Sequence, residues 1–210
     1  MKKYGLGCLG VVALLLIFTV IGGCGSYNRL VGLQQGVDGR WSDVQNQYQR
    51  RADLIPNLVQ TVSGAANFEK STLTEIVNAR AAVGKVQVNT QSPNNEEEFR
   101  RFEQAQNQLS SALSRLLVVV ERYPELKANN NFRDLQAQLE GTENRVAVER
   151  KRFNDAVQSY NTEVKSMPTR LWAGIAGFQP KPFFQSAPGS ETVPKVQFDF
   201  GTSPAPTKAP

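Results

Sequence analysis

The chain has 210 residues, a net charge of +5, no histidine and two cysteines, Cys8 and Cys24. Without imidazoles, and with both thiols in or beside an N-terminal apolar run, the rest of the chain has neither a disulfide nor the usual ligands for zinc or haem. Lys and Arg alternate with Asp and Glu along helical stretches, the pattern of a solvated surface, so no cofactor and no nucleic-acid partner is expected.

Lys2 and Lys3 precede a run from Gly5 to Gly25 without a charge. Its roughly 21 residues, at about 1.5 Å each, match the thickness of a bilayer core. The run is either a single transmembrane helix or an export signal. Ile21-Gly22-Gly23-Cys24 also has the form of a lipobox, in which cleavage would leave Cys24 to carry lipid, and both forms anchor the chain. Two lysines before the run and only Arg29 soon after it favour a cytoplasmic N-terminus and an exported remainder.

A weak helical pattern follows through Leu30, Leu33 and Val37, where Gly32, Gly36 and Gly39 lower helix propensity, and predicts a flexible neck. From Val37 the residues Trp41, Val44, Tyr48, Ala52, Ile55, Val59, Val62 and Ala66 step by three or four along one helix face. Pro56 lies inside that stripe and predicts a kink around Ala52 to Pro56. Phe68 to Val83 is a second helix or a continuation of the first. After the polar loop from Lys85 to Asn95, Ser92-Pro93 with Glu96 and Glu97 signals a helix start. The seam Phe99, Phe102, Gln106, Leu109, Leu113, Leu116, Val120 and Tyr123 then runs to Pro124. Asn131 is the predicted N-cap of a last long helix carrying Phe132, Leu135, Leu139, Thr142, Val146, Arg150, Phe153, Val157, Tyr160, Val164 and Met167.

Long helices with 3/4 spacing and short joints predict an all-α fold: a membrane anchor over 1–26, an elongated, coiled-coil-like antiparallel helical bundle over 27–167, an aromatic-rich docking segment over 168–200 and a disordered tail over 201–210. Leu171, Trp172, Phe178, Phe183 and Phe184 are the aromatic and apolar residues expected to dock. VPKVQFDF, from Val193 to Phe200, alternates as an extended strand does.

Three stretches resemble the LemA family of bacterial membrane-associated proteins: WSDVQNQYQRRADLIPNLVQTVSG from Trp41, ERYPELKANNNFRDLQAQLEGTENRVAVERKRFNDAVQSYN from Glu121, and PxVxFDF ending at Phe200. The likeness covers 27–200 with a gap at 85–95. It implies an N-terminal transmembrane helix followed by an elongated antiparallel bundle, and implies no established activity.

Arg50, Arg51 and Asp53 form one dense charged patch, and the run from Glu140 to Arg152 is another, with Arg150 on the apolar stripe and Glu149 beside it. A buried charge needs a partner, so Glu143 or Glu149 facing Arg51 or Arg80 is expected as a polar layer that fixes helix register. No phosphate loop, nucleophile elbow or base-plus-nucleophile set is present, and a di-iron bundle site would need histidines. The expected function is that of an anchored, non-enzymatic interaction or scaffold protein of the cell envelope, binding another envelope protein or a second copy of itself. Its candidate partner-binding tail is Val196, Phe198 and Phe200, adding as a strand to a partner's sheet. The alternative is a hydrolase or ligand carrier with a cleft around Trp172, Phe183 and Phe184.

Overall fold

A computed structural model describes residues 2–65, 68–86 and 94–185, with residues 2–21 described by their backbone alone. Six helices follow one another: α1 (Lys2–Ser63), α2 (Lys70–Lys85), α3 (Glu96–Val120), α4 (Pro124–Ala128), α5 (Asn130–Lys165) and α6 (Thr169–Ala176), and among the described residues there is no strand. Helix α1 is continuous over 62 residues. The expected neck is absent, because Leu30 and Val37 are fully buried in the bundle and tertiary packing outweighs the low propensity of Gly32, Gly36 and Gly39. No helix among the described residues is long and apolar enough to cross a membrane; most of the run expected to span, 5–25, lies where side chains are outside the described set.

Helix α1 also continues through Pro56. Proline has no N–H to give to the carbonyl four residues back, which leaves the Ala52 oxygen without its helical donor. Arg80 of α2 supplies one: its Nε donates to the Ala52 oxygen at 3.1 Å. The second helix is a separate element, turned back on α1 after Gly64, and it packs on α3. Helix α3 is capped by Asn95, whose side chain accepts from the Glu97 N–H at 2.8 Å; Ser92 and Pro93 lie outside the described residues. The cap of α5 is Asn129, which accepts from the Phe132 N–H at 3.3 Å, two residues before the expected Asn131. The extra turn of α4 after Pro124 consumes the predicted bridge and brings Asn129 to the helix entrance in extended geometry.

The core has two parts. Ile55, Leu58, Val62, Ile76, Leu109, Leu116 and Phe132 are among the residues of the far part. Trp41, Val44, Tyr48, Phe99, Phe102, Phe153, Val157 and Tyr160 belong to the part nearer the N-terminal run. The actual α1 stripe is Trp41, Val44, Tyr48, Arg51, Ile55, Leu58 and Val62. Arg51 and Leu58 therefore stand on the face where Ala52 and Val59 were expected. The buried apolar residues of α2, Ile76 and Ala79, belong to the far part, and in the nearer part residues 178–185 contribute Phe184 instead.

Candidate functional site

Between the two apolar cores three helices each place a polar residue at the same level: Arg51 between Tyr48 and Ile55 on α1, Gln106 between Phe102 and Leu109 on α3, and Glu143 between Leu139 and Val146 on α5. Arg51 is only 1% exposed. Its Nη1 donates to Glu143 Oε1 at 2.7 Å and to Ser110 Oγ at 2.8 Å, its Nη2 donates to Gln106 Oε1, and its guanidinium lies 5.0 Å from the centre of the Tyr48 ring. The Nε has no partner. Glu143 is on the rim, with its side chain 42% exposed, so the layer opens to solvent on one side. Burial pushes the Tyr48 hydroxyl above its ordinary pKa, against the opposing pull of Arg150 and Arg51.

On that open side, α3 and α5 are spaced widely enough to leave a groove of 480 Å³, floored by Leu58, Leu113, Leu117 and Leu139 and rimmed by Glu140 and Glu143. Towards the N-terminal end the same seam between α3 and α5 is filled. Arg150 bonds Glu103 of α3 at 2.7 Å, covers the Phe184 ring at 4.4 Å and donates to the Gln185 carbonyl at 3.2 Å. Two asparagines seven residues apart on one face of α5 hold residues 178–185 as an extended strap. The Asn154 amide donates to the Phe184 carbonyl at 3.0 Å and accepts its N–H at 2.9 Å; Asn161 does the same to Lys181, at 2.8 Å in each direction. Phe184 enters a cage of Trp41, Phe99 and Phe153. The Lys181 ammonium is buried with Asn94 at 2.8 Å and Asp38 at 3.7 Å; burial lowers its pKa and Asp38 opposes that shift.

The other expected site residues are more scattered. Arg50 is exposed, Asp53 accepts from Gln49, Arg80 serves the Ala52 carbonyl, and Glu149 pairs with Arg152. Trp172, Phe183 and Phe184 do not line one cleft: Trp172 rests against Gly23, Phe183 is exposed and Phe184 is in the core. Successive residues of an extended strap face opposite ways, which separates the last two. Val196, Phe198 and Phe200 lie outside the described residues. Cys24 is exposed with a free thiol. Among the described residues no three His, Cys, Asp or Glu side chains are grouped to hold a metal ion. Nothing in the residue pattern singles out Asn154 and Asn161, since their partners are backbone groups with no residue signature.

An antiparallel bundle with a buried arginine layer at its waist and residues 178–185 strapped along one seam defines, among the described residues, an all-helical bundle fold. Residues 40–198 match the family described as the LemA family, and the chain belongs to that family. It is 26% identical to magnetosome protein MamQ 1 and to MamQ 2 of Paramagnetospirillum magneticum, over 79% of this chain and 67% of each relative. It is 23% identical to protein LemA of Metamycoplasma hominis, over 71% of this chain and 64% of that protein.

Proposed function

We propose that the chain is a membrane-anchored helical scaffold of the bacterial envelope that binds another envelope protein. The supporting observation is the unbroken α1, which joins the uncharged run 5–25 to the core of the bundle with no hinge between them. An anchor in that run, as a spanning helix or as lipid on Cys24, holds the bundle rigidly outside the membrane on the side opposite Lys2 and Lys3. The tail residues Val196, Phe198 and Phe200 supply alternating apolar side chains for strand addition to a partner's sheet edge. The leucine-floored groove between α3 and α5 gives the same partner a second surface, and Arg50 and Asp53 offer exposed charge beside the waist.

Cell fractionation and a photo-crosslinking residue in place of Phe198 test this together. The expected result is a chain that stays with membranes after a high-salt wash and crosslinks to one reproducible envelope protein in intact cells. A chain released by salt removes the anchor, and crosslinks to no protein remove the scaffold role. Mass spectrometry of the N-terminus separates an intact helix from an acylated Cys24.

A further inference from the structure

After Lys165 the chain leaves α5, and α6 lies across the end of the bundle against α1 and α5. Thr169 and Ala173 face inward and are buried, while Gly177 closes the helix in the left-handed conformation at φ +78°. The outward face of α6 carries Leu171 and Ile175, spaced by four and 60% and 80% exposed, and Met167, two residues before the helix, is 70% exposed. Three large exposed apolar side chains on and just before an eight-residue helix are costly in water.

The position of α6 says what covers them. A Cβ on Gly23 would lie 3.1 Å from the Trp172 ring, so α6 sits at the last turn of the uncharged run, and Tyr27 one turn on meets Phe178 with ring centres 5.7 Å apart. Tryptophan and tyrosine at the end of an apolar run favour the headgroup level of a bilayer. Lys165 and Arg170, both exposed, flank the apolar stripe with charge that suits anionic headgroups. Glu163, the acidic neighbour, is already bound by Arg29 at 3.1 Å and by Thr169 at 2.9 Å.

Resting on the anchored reading above, we infer that α6 is an interfacial helix: Met167, Leu171 and Ile175 insert into the outer edge of the same bilayer that holds the anchor. The chain then touches the membrane at two points. Both forms of anchor place the bilayer surface at the same height, since a spanning helix emerges near Gly25 and an acylated chain begins at Cys24.

The test uses the full chain with Cys8 and Cys24 changed to alanine, reconstituted in vesicles of phosphatidylcholine and phosphatidylglycerol with brominated acyl chains. A bimane fluorophore is attached in turn to L171C, I175C, L14C and V118C. Val118 is 69% exposed on α3 in the far half of the bundle and reports a water-facing site. Bimane at 171 and 175 is expected to be quenched at least about twofold more than at 118, as for an apolar face sunk a few ångströms into the acyl boundary. Quenching equal to that at 118, with strong quenching at 14, overturns the interfacial helix and leaves the anchor standing. No quenching at 14 overturns both. As a second check, the double change Leu171→Glu and Ile175→Glu falls on exposed positions, so thermal melting should be unchanged while bimane at M167C loses its quenching; retained quenching also overturns the inference.

Discussion

Arg51 shows how one residue organises its surroundings. A guanidinium 1% exposed is tolerable only because Glu143, Ser110 and Gln106 meet it, and removing it leaves three polar groups facing a gap. Arg51→Ala should cost about 3 kcal/mol in urea unfolding, near the lower end for breaking a buried pair. Glu143→Gln should cost about 1 kcal/mol, since that carboxylate is partly hydrated and an amide still accepts from Arg51. A double-mutant cycle should give positive coupling; additive losses would show that the two do not act as a pair. Tyr48 makes a separate, pH-dependent contribution. Burial holds its pKa above 10.0, so the folded state keeps a proton that the unfolded chain has lost, and stability falls as pH rises through and beyond 10.0. Tyr160 acts in the same sense, and Lys181, held below 10.5, in the opposite one. Tyr48→Phe should therefore flatten the alkaline loss seen in urea midpoints measured between about pH 9 and 11; an unchanged slope would assign the loss to other groups.

Among the elements, α3 shows its buried face openly in the sequence: Phe99, Phe102, Gln106, Leu109, Leu113, Leu116 and Val120 are all buried, as their spacing requires. Leu116 is fully enclosed, whereas Leu113 also floors the open groove. Leu116→Asp should unfold the bundle, and Leu113→Asp should do less harm because water reaches its site from the groove; thermal melts of the two should differ in that order. The strap was legible only in part. Its aromatic content announced docking, but which ring enters the core depends on Asn154 and Asn161 pairing with backbone groups. Each asparagine's loss should cost about 1–3 kcal/mol, the penalty for unmet buried groups. Asn154→Ala with Asn161→Ala should open 178–185 to limited proteolysis, and a strap that stays resistant would mean Phe184 alone retains it. Residues on α1 were harder to place. Alternation through Ala52 and Val59 satisfies helix spacing as well as alternation through Arg51 and Leu58 does, and the expected polar layer left open whether Arg51 or Arg80, and Glu143 or Glu149, would form it. Gly32, Gly36 and Gly39 suggested a neck because propensity is local, while Leu30 and Val37 are held by distant residues.

For the whole molecule, deleting residues 1–26 removes the uncharged run and leaves both core clusters intact. That fragment should be soluble and helical by circular dichroism with cooperative melting, and immediate aggregation would place the domain boundary elsewhere. The unbroken α1 has a mechanical consequence for the intact chain. Beyond residue 26 it continues for about 56 Å, so under the proposed anchoring a lean of about 20° from the membrane normal swings the far end of α1 sideways by about 19 Å. Such a lever turns small rotations of the proposed anchor into large excursions of the far end, and at Pro56 the Arg80 Nε supplies the donor that the proline lacks.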